Sequence, residues 1–104
     1  MPMYVMLTKL SPYAVKDPKK LKEIEQKVKK LIEENCPGVK WVMNLVVFGP
    51  YDYLDVFEAK DDEEASKVAL IIRSFGHATT ETWSAMHWKD FKEVIDKLKG
   101  VPVA

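Results

Sequence analysis

Two β-rich runs, Val39–Phe48 and Tyr51–Ala59, meet at Gly49-Pro50, and neither face of the hairpin they predict is polar enough for water. With Gly49-Pro50 at the tip, Asn44 stands opposite Asp55 and Leu45 opposite Leu54. One face then carries Val39, Trp41, Met43, Leu45 and Val47 with Leu54 and Val56. The other carries Val42, Asn44, Val46 and Phe48 with Tyr51, Tyr53, Asp55 and Phe57. An antiparallel sheet with one wet face alternates apolar and polar residues along each strand; this hairpin does not. The first face is the expected bed for helices. The second is expected to bury itself against another copy of the chain, with Val42, Val46, Phe48, Tyr53 and Phe57 at the contact.

The flanking sequence supplies the remaining elements. Met3–Lys9 reads as a short apolar strand bounded by Ser11-Pro12. Asp17-Pro18 is a cap followed by proline at the first helical position, and Leu21, Ile24, Val28, Leu31 and Ile32 recur at helical spacings up to Asn35-Cys36-Pro37-Gly38. Asp61-Asp62-Glu63-Glu64 opens a second helix, with Asp61 and Glu64 placed as a variant capping box. Its stripe is Ala65, Val68, Ala69, Ile72 and Phe75, and Gly76 fits the residue after its end. The Thr-rich stretch His77–Met86 reads as a fourth strand, and Phe91, Val94, Ile95 and Leu98 as a last helix stopped by Gly100 and Pro102. The order β-α-β-β-α-β plus a C-terminal helix predicts an α+β, ferredoxin-like domain spanning residues 1–104, with a four-stranded antiparallel sheet.

Composition narrows the function. Sixteen Lys and Arg balance sixteen Asp and Glu, so no net field draws the chain to nucleic acid or anionic lipid. Its apolar runs are too short to span a bilayer, and no secretory segment opens the chain, so the expected location is cytoplasmic. One cysteine rules out a disulfide framework and a cysteine-cluster metal site. His77 and His87 lie about 33 Å apart along one strand, too far to share a metal. Charged residues make up 31% of the chain, with few Asn or Gln, a bias associated with hot environments.

The string Phe48-Gly49-Pro50-Tyr51-Asp52-Tyr53, followed by Glu58-Ala59-Lys60-Asp61-Asp62-Glu63-Glu64-Ala65, resembles the GYD domain family, named for its Gly-x-Tyr-Asp turn. Pro2-Met3-Tyr4-Val5-Met6-Leu7-Thr8 and Gly76 with Thr80-Glu81-Thr82 and Ala85 extend the likeness from about Pro2 to about Phe91. Lys60 replaces a common proline, Thr79 stands where a basic residue is expected, and Trp83 and Trp88 are bulkier than the usual occupants. The resemblance implies a dimeric α+β barrel, in which two sheets pack to enclose a shared interior. It implies no particular reaction and no cofactor.

Six residues are candidates for a ligand site. Asn44 and Asp55 face each other across the hairpin with Tyr53 nearby, and a carboxylate in an apolar sheet needs a partner or a shifted pKa. The alternative is a hydrogen-bonded pair that pins register. Tyr51 and Asp52 belong to a turn that either recognises a ligand or closes the hairpin, with glycine supplying unusual φ and Asp52 bonding locally. A similar turn occurs in the effector domains of the leucine-responsive regulator family. His77 lies at a strand end, where it serves as a lone acid or base or merely caps the sheet. Glu81 either donates a carboxylate to a pocket or, as is more common in a Thr-rich edge strand, supplies an exposed charge against aggregation, and Cys36, at a helix C-terminus, is a poor nucleophile. No metal ligand set is present.

These features favour a homo-oligomer that partners itself through the open sheet face and binds a small molecule, as an effector or sensor. A cofactor-free enzyme, monooxygenase- or isomerase-like as the resembled superfamily implies, is the alternative. A purely structural oligomer is the third.

Overall fold

Proline, acidic caps and glycine punctuate the chain much as the sequence predicts. The computed structural model describes residues 1–102. Among these, β1 (Met3–Leu10) is followed by α1 (Pro12–Val15), α2 (Pro18–Asn35), β2 (Lys40–Val46), β3 (Tyr53–Glu58), α3 (Asp62–Ser74), β4 (Ala78–Ala85) and α4 (Trp88–Asp96). Asp61 Oδ1 accepts the Glu64 N–H (2.9 Å) and Glu64 Oε1 accepts the Lys60 N–H (2.8 Å), a capping box reaching one residue further back than usual. Gly76 takes φ +71° after α3, as a residue without Cβ can. Asp17 holds the cap position of α2, yet its carboxylate makes no capping bond. The single turn α1, capped by Ser11, is additional to the predicted elements.

The sheet order is β2-β3-β1-β4, with every neighbouring pair antiparallel. This is the α+β ferredoxin-like fold. Ile32 and Cys36 at the end of α2 and Ala65 and Val68 of α3 pack with Tyr4, Met6, Phe57 and Ala59 of the sheet side into one core. The Phe57 ring lies 5.6 Å from that of Tyr4 and 5.3 Å from that of Trp41.

The hairpin keeps the expected register at its outer end, where Asn44 pairs with Asp55, Leu45 with Leu54 and Val46 with Tyr53. Between Trp41 and Met43 the register shifts, because Trp41 pairs with Phe57 while Met43 pairs with Val56. Val42 is the extra residue of a β-bulge, and a bulge reverses which side of the sheet the following residues face. The expected faces are therefore corrected. Phe57, expected at a contact between copies, is 0% exposed beneath the helices, and Asn44, Val46, Tyr53 and Asp55 share its side. The open side instead carries Val5, Leu7, Met43, Leu45, Leu54, Val56 and Trp83. It is no more suited to water than the side first assigned: Leu45 is 44% and Trp83 52% exposed.

The last helix is equally unpartnered. Trp88, Phe91, Val94 and Ile95 of α4, with Leu98 beyond it, are all exposed, and α4 buries no residue. Extents of 56 × 31 × 17 Å make the protomer an elongated slab. No described helix is long and apolar enough to cross a membrane.

Candidate functional site

The turn between β2 and β3 is fastened to the end of β1. The Asp52 N–H donates to the Thr8 carbonyl (2.8 Å), and the Asp52 carbonyl accepts the Val47 N–H (2.9 Å). Asp52 Oδ2 accepts the Leu10 N–H at 2.7 Å. Its carboxylate thus supplies an acceptor to β1 just where the β3 backbone turns away. The expectation that Asp52 satisfies itself within the turn is corrected, since its side-chain partner is distant in sequence. Positive φ among the described glycines falls at Gly76 and Gly100, so Gly49 does not supply the unusual φ expected of it.

Fixing Asp52 places Tyr51 over the open side of the sheet, where its hydroxyl donates to Glu81 Oε2 on β4. Beside this bond lies a pocket of about 350 Å³, lined by Leu7, Lys9, Pro50, Tyr51, Thr79 and Glu81. Leu7 is buried here although it sits on the open side. The bond to Glu81, with burial adding to it, pushes the Tyr51 pKa up, which keeps the phenol a donor. An ammonium on Lys9 and a carboxylate on Glu81, above an apolar floor, can orient a small ligand bearing both charges.

Asn44 Nδ2 donates to Asp55 Oδ1 at 2.7 Å, so the predicted pair forms. It forms on the helix-bearing side, near Glu25 of α2. Burial raises the Asp55 pKa, the bond from Asn44 opposes that rise, and Glu25 adds to it. Burial, then Glu25, Asp52 and Asp55, raise that of Tyr53. Asn44, Tyr53 and Asp55 are therefore brought together, but on the opposite side of the sheet from the Tyr51 pocket.

His77 stands at the same end of the sheet as Asp52. Its carbonyl accepts the Ser11 N–H (2.7 Å), one residue after the amide that Asp52 holds. The imidazole sits edge-on to Phe75 with ring centroids 6.2 Å apart. Its Nδ1 is buried with no partner among the described residues, and burial lowers its pKa. His77 does not line the Tyr51 pocket.

Sequence reasoning passed over Lys9, marked Thr79 only as a departure from the family pattern, and favoured an edge charge over a pocket carboxylate for Glu81. The signal for Lys9 was a lone cation interrupting an otherwise apolar strand. Among the described residues no group of three or more His, Cys, Asp or Glu side chains is placed to hold a metal ion.

The GYD domain model matches residues 4–95. A protein of Thermus thermophilus described as "Glutamine synthetase and cystathionine beta-lyase binding protein" is 32% identical over 90 residues, which cover 83% of this chain and 90% of that protein. Among solved structures, the solution NMR structure of a de novo designed protein with a ferredoxin fold aligns with a TM-score of 0.49 and 11% identity, covering 84% of this chain and 86% of that one.

Proposed function

The chain belongs to the GYD domain family, and from that premise we propose that it is a homo-oligomeric protein-binding module that docks onto enzymes of nitrogen and sulfur amino-acid chemistry. The observation that carries this reading is the Thermus relative, named for binding glutamine synthetase and cystathionine beta-lyase and aligned along 90% of its length. The surface chemistry supports it. A module that works through protein contacts needs apolar surface beyond its own core, and this protomer has two such surfaces, the open side of the sheet and α4.

Self-association uses the open side. Only Met86 and His87 separate β4, with its exposed Trp83, from α4, with its exposed Trp88 and Phe91. A second copy related by a two-fold axis covers sheet and helix together, since a two-fold contact presents the same patch from both protomers. The pocket beside Tyr51 opens on that same side and serves as the small-molecule site, with Lys9 and Glu81 as its charged groups. Asn44 and Asp55 pin the register of the hairpin.

Native mass spectrometry of the purified protein, alone and mixed with glutamine synthetase or cystathionine beta-lyase, tests the proposal. An even-numbered oligomer that binds at least one of the two enzymes is the expected result. A monomer that binds neither overturns it.

A further inference from the structure

Resting on the protein-binding reading, we propose that the groove between α3 and the edge strand β4 receives an extended segment of the partner enzyme, which adds to β4 as a fifth strand. In the order β2-β3-β1-β4, β4 pairs with β1 alone, so its outer edge offers backbone donors and acceptors in a row. On the helix-bearing side, that strand, α3 and Tyr4 of β1, whose hydroxyl donates to Asp62 Oδ1, bound a second cavity of about 460 Å³. Ala65, Ser66 and Ala69 line it from the helix and Thr82 and Ser84 from the strand. Small side chains along α3 make the room that an added backbone needs.

The ends of the groove are charged, and alanine, leucine and hydroxyl-bearing side chains lie between them. Asp62 lies at the start of α3 and Arg73, the chain's single arginine, near its end. Both line the cavity, and neither forms an ion pair among the described residues. Leu70 lies between them along the helix and is 62% exposed. Thr82 has a buried hydroxyl without a hydrogen-bond partner among the described residues. Asp62 and Arg73 stand about three helical turns apart, about 16 Å, which roughly five residues of extended chain span. The complementary segment therefore carries a basic side chain at one end, an acidic one at the other, and small or apolar residues between. The acidic end meets Arg73, where a planar guanidinium suits a carboxylate. A helix in this groove would leave the edge of β4 unused, which is why the occupant is a strand.

Hydrogen–deuterium exchange on the complex of the full chain with glutamine synthetase, or with cystathionine beta-lyase if only that enzyme binds, tests the assignment. Amides within 78–85 are expected to gain protection in the complex, while those of the other edge strand, 40–46, do not. Ser66→Arg and Arg73→Glu, both at exposed helix positions, are expected to weaken binding about tenfold or more with the oligomer unchanged. A complex that forms with β4 exchange unaltered and both variants binding normally overturns the groove but leaves the protein-binding reading standing. Protection of 78–85 that rises with concentration in the protein alone assigns the edge to a second copy and also overturns it. Absence of any complex with either enzyme removes both readings.

Discussion

The Asp52 carboxylate holds the Leu10 backbone N–H at 2.7 Å, joining the hairpin turn to the end of β1 across 42 residues of sequence. Tyr51 precedes this anchor and Tyr53 follows it, so Asp52 decides that one points over the open side and the other toward α2. Removing the acceptor leaves a partly buried amide unpaired, which costs about 1–3 kcal/mol. Asp52→Ala is expected to lose that much in chemical denaturation, and Asp52→Asn, which keeps an acceptor, clearly less. Equal losses would show that charge rather than the bond to Leu10 matters.

Leu45→Glu and Val46→Glu separate the two sides of the sheet with neighbouring residues. Leu45 lies on the open side proposed to meet a second copy; Val46, 64% exposed, lies on the helix-bearing side. In sedimentation, the first substitution is expected to give monomer or aggregate and the second to leave the oligomer intact. The reverse pattern would contradict the proposed interface.

Phe57→Ala tests the corrected core. A ring that touches Tyr4 and Trp41 and is wholly buried leaves a cavity when truncated, at a cost of about 3–5 kcal/mol. The loss is expected in unfolding free energy. A change of less than about 1 kcal/mol would be incompatible with that burial.

Asp55 governs an acid-range dependence. Its folded-state pKa is raised above 3.8, chiefly by burial, so its neutral form is favoured on folding. That contribution is fully present below 3.8 and is lost as pH rises through the higher folded-state value. Asp55→Asn, neutral throughout, is expected to abolish this decline. Stability profiles of parent and variant that run parallel from pH 3 to about 7 would refute the assignment.

Tyr4 governs an alkaline one. Its hydroxyl donates to Asp62 Oδ1 at 2.7 Å, and that bond, with burial and the charges of Asp62 and Asp61 adding to it, pushes its pKa up to about 12. The stability held by the protonated phenol is fully present below pH 10 and is lost as pH rises through about 12. Ultraviolet titration of Asp62→Ala is expected to bring this last tyrosine transition down toward the others. An unchanged transition would dissociate Asp62 from the shift.

Local chemistry made most of the fold legible. Pro18, the acidic start of α3 and Gly76 each act within a turn of their own helix, and the Asn44–Asp55 pairing follows from the position of the hairpin tip. The faces of the sheet were not legible. Trp41, Met43 and Leu45 show unbroken alternation, and only β3, pairing Trp41 with Phe57, reveals that Val42 is extra. The role of Asp52 was hidden for a similar reason, because its partner is a backbone amide that no side-chain pattern marks. Lys9 and Glu81 belong to strands far apart in sequence, and their shared pocket emerges only when β1 pairs with β4.

The bulge at Val42 also divides one strand between two kinds of natural selection. Trp41, before it, packs on the core and is answerable to folding. Met43, Leu45 and Val46, after it, are exposed and make no side-chain hydrogen bond, so substitutions there leave the interior untouched. These three positions of β2 can therefore drift, gain or trade recognition properties at little risk to the fold, and descendants of one scaffold can diverge in what they meet while remaining alike in how they are built.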